Sequence, residues 1–319
     1  MKLIRIGIIG CGRIAQEAHL PAIQNVDSLK LVAVCDADMR CASKIGQKLG
    51  VLNICKDIGE ICSLNDVDAL IICLPHHQHR DAVIEATSHG KHVLVEKPLG
   101  CTTAECDEMI ACARENKVVL AVGHVMRYSQ KIRDLKEEIV NGKIGKIANV
   151  RARRLTYHVD AAAEWWRSKK QCGGLVLPLI GSHLFDTIFW LTDASPKTVF
   201  AAGLTVRKQW EGEDEADITM ILDNGAMASL ALSFNSSMRV NDLLIIGNQG
   251  HLYVEEKDFV IGDEKAPDIL SQFVLQLNGF CEAISQGIEP PVNGAYARKV
   301  VAAIEAAQLS IATGRSVNL

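Results

Sequence analysis

A chain of 319 residues with 48% hydrophobic and 23% charged side chains holds enough apolar material for two buried cores, and too little charge for a disordered polymer. Lys and Arg number 34 against 38 Asp and Glu, so the net charge of −4 offers no basic field for a nucleic acid backbone. Aromatic residues at 5% argue against a stacking platform for bases.

At the N-terminus a positive residue leads into apolar ones, but glycines and Arg13 break the run too early for a signal peptide. The longest apolar stretch, 175–191, contains Pro178, Ser182, His183 and Asp186; it is too short and too polar for a membrane span. The 11 cysteines are odd in number and form no CxxC pair, and Cys35 and Cys73 lie inside apolar strands. That pattern predicts free thiols and a reduced, cytoplasmic protein.

Over residues 1–122, short apolar runs at 3–9, 29–35, 69–73, 92–95 and 118–122 alternate with amphipathic stretches such as 14–26 and 102–116. Alternation of this kind predicts right-handed βαβ units and a parallel sheet buried on both faces. From 123 to 319 the pattern changes to strands at 146–159, 198–206, 217–222, 226–234, 242–246 and 251–254. Asp223-Asn224-Gly225 marks a hairpin, because Asn and Gly tolerate the positive φ of a tight turn. This half reads as an antiparallel sheet with helices, the last helix covering 295–312 and ending at Gly314. The acidic run Glu211-Gly212-Glu213-Asp214-Glu215 reads as a solvated loop.

The first strand leads directly into Gly10-Cys11-Gly12-Arg13-Ile14-Ala15, a GxGxxA pattern. Gly10 permits the tight turn, Gly12 lets a pyrophosphate approach the backbone at a helix start, and Ala15 lets helix pack on strand. The second strand ends at Asp36, whose carboxylate suits the two adenosine ribose hydroxyls and repels a 2′-phosphate, favouring NAD over NADP. Arg13 and Arg40 pull the other way, since either can offset a phosphate.

Further along, Cys73-Leu74-Pro75-His76-His77-Gln78-His79 puts three histidines in four residues, but no nearby carboxylate or cysteine completes a metal set, so no metal is expected. The loop is expected to pass under the nicotinamide riboside, with His79 orienting it. Val95-Glu96-Lys97-Pro98 closes the next strand at the carboxyl edge, where open α/β sheets place ligands, and its Lys–Pro bond is a candidate for the cis form.

With these residues in place, the chain resembles the Gfo/Idh/MocA family of NAD(P)-dependent oxidoreductases over nearly its whole length. The resemblance rests on GCGRIA at 10–15, LPHHQH at 74–79, GKHVLVEKPL at 90–99 and the run from Gly123 to Arg127-Tyr128. It continues through Trp166-Arg167, Gly173-Gly174, Gly181-Ser182-His183 and Asp186. It implies a doubly wound Rossmann domain followed by an α/β domain with a large, mainly antiparallel open sheet that serves homodimers or homotetramers. It also implies hydride transfer between the nicotinamide and a hydroxyl or keto carbon of a sugar, cyclitol or related polyol.

Residue by residue, Lys97 matches the family's acid/base lysine and His183 the histidine near the reacting hydroxyl. Glu96 and Pro98 shape the nicotinamide end, and Arg127 matches the arginine after the last Rossmann strand. The cofactor set is thus Gly10, Cys11, Gly12, Arg13 and Ile14, then Asp36 and Arg40, then Leu74, Pro75 and His79, with Glu96, Lys97 and Arg127. The substrate set is Lys97, Arg127, Tyr157, Trp166, Arg167 and His183; Arg154, His158 and Trp165 lie in the same stretch. One departure stands out: Leu179 occupies the place, four residues before His183, where the family commonly carries an aspartate. Two alternatives follow, a dinucleotide-binding sensor that has lost its chemistry and an NAD-assisted glycoside-cleaving enzyme.

Overall fold

The computed structural model describes residues 3–255 and 268–319. Its contacts divide the chain into two compact units. The first holds residues up to 100 and 104–128 and takes back the C-terminal segment up to 297, which a single boundary near 122 leaves to the second.

The first unit is built on six parallel strands, β1 (Ile4–Ile9), β2 (Leu29–Cys35), β3 (Asn53–Cys55), β4 (Ala69–Ile72), β5 (His92–Val95) and β6 (Leu120–Val122). Their order is β3-β2-β1-β4-β5-β6, so the winding reverses between β1 and β4 and opens a crevice beyond their carboxyl ends. β4 is buried at every position, as a strand covered on both faces requires. The sequence pattern missed β3, which has three residues and only one buried side chain.

The helix expected over 14–26 is present in a shorter form: a π-helical turn at Ala15–His19 runs on into Leu20–Ile23. The helix Met39–Leu49 starts on Asp38, whose side chain accepts the Arg40 N–H, and stops at Gly50, with φ of 68°.

The second unit carries a seven-stranded sheet formed by β7 (Ile147–Tyr157), β8 (Pro196–Leu204), β9 (Glu215–Leu222), β10 (Met227–Ser233), β11 (Asn235–Gly247), β12 (His251–Glu255) and β13 (Val317–Asn318). The order is β12-β11-β7-β10-β9-β8-β13. All neighbours are antiparallel except β7 and β10, which run parallel. The β9–β10 hairpin turns at Gly225 with φ of 86°, and Gly314 (φ 66°) caps the helix Gly294–Thr313, both as the sequence predicts.

Burial alternates along β9, so one face of the sheet is covered and the other open. The stretch Lys169–Thr192 is long and apolar enough to cross a membrane, yet 94% of its most apolar window is buried in the structure, the setting of a core helix. The acidic run is less solvated than expected: Asp214 is fully buried, its carboxylate accepting the N–H groups of Val206 and Arg207.

Candidate active site

The glycine turn after β1 is packed tightly at one residue and open at the next. Gly10 has φ of 90°, and a Cβ there would lie 2.5 Å from the Cys73 carbonyl oxygen. A Cβ on Gly12 would meet nothing within 4 Å, so space remains above the start of the helix, where the first amides lack intrahelical acceptors. This is a cradle of the kind a dinucleotide pyrophosphate requires. Leu74 and Pro75 leave β4 beside this turn; the Leu74 side chain would lie 3.2 Å from a Cβ on Gly10.

Asp36 leaves β2 with both carboxylate oxygens bound to main chain. Oδ2 accepts the Cys11 N–H at 2.7 Å and Oδ1 accepts the Asp38 N–H at 2.8 Å. Each oxygen keeps a further lone pair, so the group retains acceptors for a ribose diol. Arg40 is held in a two-pronged pair by Asp38, at 3.0 and 2.9 Å, and Arg13 pairs with Glu17 at 2.8 Å. Both arginines expected to blur the preference for NAD are thus engaged with acidic neighbours. Burial pushes the Cys11 thiol up to about 12, which keeps it protonated and poorly nucleophilic at neutral pH.

His79 is fully buried and ties two loops together. Its Nδ1 lies 2.9 Å from the Pro98 carbonyl and its Nε2 2.9 Å from that of Leu74. Burial lowers its pKa against the opposing pull of these carbonyls. Both ring nitrogens of His79 thus face backbone carbonyl oxygens of the two loops that it braces. Among the described residues no group of three or more His, Cys, Asp or Glu is placed to share a metal ion.

The Lys97–Pro98 peptide is cis, as the sequence suggested. Lys97, half-buried, leaves the carboxyl end of β5, and Glu96 before it is buried. One Glu96 oxygen lies 2.7 Å from His19 Nε2 and the other accepts the Lys97 N–H at 3.2 Å. Gly123 is needed here, since a Cβ would press to 3.2 Å on the Glu96 carboxylate. Arg127 follows β6 with its guanidinium 4.0 Å above the Tyr296 ring and one nitrogen 3.4 Å from the Pro291 carbonyl. His19 was absent from the sequence-derived set; a histidine on a helix face otherwise made of Ala15, Ala18, Ala22 and Ile23 was the available signal.

In the second unit, two of the candidates pack around Phe234, which is fully buried. Trp166 stacks on it at 6.1 Å, His158 lies 4.6 Å away and Trp210 6.4 Å. Arg167 pairs with Asp160 and Glu164 and lies 6.0 Å from the Trp210 ring. Tyr157 is exposed beneath the guanidinium of Arg207, which also binds the Asn235 side chain and the His158 carbonyl. Arg154 is buried on the covered face of β7. Sequence reasoning missed Phe234, Trp210 and Arg207, which lie far along the chain from Trp166.

A π-helical turn, Leu177–Gly181, leads into the buried helix Ser182–Thr192, which carries His183 in its first turn and Asp186 one turn later. Pro178 sits at the start of the turn, where its missing N–H costs nothing. Leu179, His183 and Asp186 are all buried.

Comparison with known proteins agrees with this fold. Residues 4–124 match the model of an oxidoreductase family with an NAD-binding Rossmann fold, and residues 132–253 match the GFO/IDH/MocA C-terminal domain. The chain is 27% identical to myo-inositol 2-dehydrogenase of Thermotoga maritima, over 99% of this chain and 98% of that protein. It is 26% identical to 1,5-anhydro-D-fructose reductase of Ensifer adhaerens, over 78% and 74% of the two chains. The WlbA dehydrogenase of Bordetella pertussis, solved with NADH and UDP-GlcNAcA, superposes with a TM-score of 0.90 at 23% identity, covering 100% of this chain and 99% of that one.

Proposed function

Because the chain belongs to the Gfo/Idh/MocA oxidoreductase family and carries its NAD-binding Rossmann domain, we propose that it is a dehydrogenase or reductase of a sugar, cyclitol or related polyol. NAD supplies the hydride acceptor at its nicotinamide when bound. Lys97 takes the proton of the substrate hydroxyl on oxidation and returns it on reduction, so the hydride and the proton leave the carbinol by separate routes. His183, in the second unit, is assigned to substrate binding. Glycine turn and Asp36 hold the pyrophosphate and ribose, and His79 braces the loops on either side of the nicotinamide end.

The observation that carries this reading is the position of Lys97. It leaves the carboxyl end of β5, on the same edge of the first sheet as the glycine turn after β1 and the Leu74–Pro75 loop after β4. The named relatives support the substrate class, since one acts on a cyclitol and another on an anhydro sugar. Two wider features fit. The 11 cysteines are all free, in keeping with a cytoplasmic setting. The open face of the second sheet exposes Phe200, Leu204, Ile221 and Met227, in keeping with a homodimer or homotetramer.

Leu179, buried where the family commonly has an aspartate, favours the competing reading of a sensor that binds the dinucleotide without turning over. The retained Lys97 and His183 weigh against it. A panel of polyols, inositols and aldoses assayed for NAD reduction separates the two: NADH formation with one of them establishes the dehydrogenase. Tight NADH binding with no turnover across the panel favours the sensor.

A further inference from the structure

We propose that His19 is a positioning residue for Lys97: its Nε2–H fixes the Glu96 carboxylate, which in turn holds the turn presenting the lysine. This rests on the assignment of Lys97 as the acid/base group. His19 is fully buried on the π-helical turn, an element that displaces a side chain from the regular helix face and recurs at functional positions. Its Nε2 lies 2.7 Å from Glu96 Oε1, across 77 residues of sequence. An ionised carboxylate only accepts, so His19 donates from Nε2, and its Nδ1 is buried without a hydrogen-bond partner among the described residues.

The other end of the same carboxylate reaches the lysine. Glu96 Oε2 accepts the Lys97 backbone N–H at 3.2 Å, so one carboxylate joins the first helix to the residue that carries the ammonium. Burial alone would raise the Glu96 pKa, but the hydrogen bond and electrostatic attraction of His19, followed by the charge of Lys97, outweigh it and hold the carboxyl below its ordinary range. Both side chains of the pair are buried. The Phe273 ring meets His19 edge-on at 4.9 Å and 82°, and Gly123 leaves the space that the Glu96 carboxylate occupies, where a Cβ would press to 3.2 Å. His79 and the Cys73 thiol also feel the Glu96 charge from the loop and strand beside it.

Stability alone gives little reason for this arrangement. A buried carboxylate with a polar partner seldom outperforms apolar residues of the same volume. Its value lies in its direction: the charge is fixed one residue before the lysine, where a mobile carboxylate would let the ammonium wander.

The test is competitive acetylation of the intact protein across pH, with Lys97 followed by mass spectrometry. In His19→Leu, Glu96 loses its donor in a buried site, takes up a proton and stops favouring the ammonium. The pH of half-modification of Lys97 then falls by about one pH unit. Glu96→Gln moves it in the same direction, and His19→Gln, which keeps an N–H donor, restores the wild-type profile. An unchanged profile in His19→Leu, or in Glu96→Gln should the former not fold, overturns the proposal. The functional assignment fails separately: turnover surviving in Lys97→Met removes Lys97 from the chemistry and leaves the labelling shift untouched.

Discussion

The Oδ2 atom of Asp36 accepts the backbone N–H of Cys11 at 2.7 Å, tying the end of β2 to the glycine turn that follows β1. Asp36 therefore shapes the glycine turn in addition to its proposed role at the adenosine ribose. Asp36→Ala is expected to weaken NADH binding by 10- to 100-fold, the scale of about 1.5–3 kcal/mol for hydrogen bonds to a charged acceptor. It is not expected to create tight NADPH binding, because the turn loses its support together with the repulsive charge and Arg40 remains paired with Asp38. Fluorescence titration with both nucleotides checks this; an NADPH affinity equal to wild-type NADH affinity would contradict it.

The two glycines of the turn should separate stability from binding. Gly10→Ala forces a side chain onto a φ of 90° and against the Cys73 carbonyl, and should destabilise the protein by about 2 kcal/mol or more. Gly12→Ala meets open space, so it should unfold at the wild-type denaturant concentration yet bind NADH at least about tenfold more weakly. Denaturant midpoints and NADH titrations on the two variants give both quantities.

Stability should fall in two stages on acidification. Burial depresses the pKa of both His79 and His92, and the Nδ1 of His92 accepts the Val119 N–H, a bond that protonation breaks. Below the ordinary value of 6.5 the unfolded chain takes up protons that the folded histidines refuse, so the melting temperature drops as pH falls below that point. Glu96 adds the second stage: its folded pKa lies under the ordinary 4.5, so its contribution is present above that pH and is lost below it. Melting curves across pH check the order of the stages, and His92→Gln should shrink the upper one alone.

How much of this was legible in the sequence depended on whether the signal was local. The turn at Gly10, the end of β2 at Asp36 and the Glu96-Lys97-Pro98 turn each follow an apolar strand directly, and the structure has them where the pattern put them. β3 was too short for any periodicity to register. The parallel pairing of β7 with β10 was hidden because a half-buried strand alternates identically in either direction. His19 and Phe234 were missed for a related reason: their partners, Glu96 and Trp166, are tens of residues away, and no spacing rule joins them. The return of the helix Asp268–Gln286 to the first unit is likewise a matter of tertiary packing.

Lys97 carries the proposed proton transfer. With a polyol or sugar that supports NAD reduction in the wild type, Lys97→Met is expected to lower kcat by at least about a hundredfold, the usual scale for losing a positioned acid/base group, while NADH affinity stays within about twofold. Turnover at the wild-type rate in that variant, with the cofactor still bound, would contradict it.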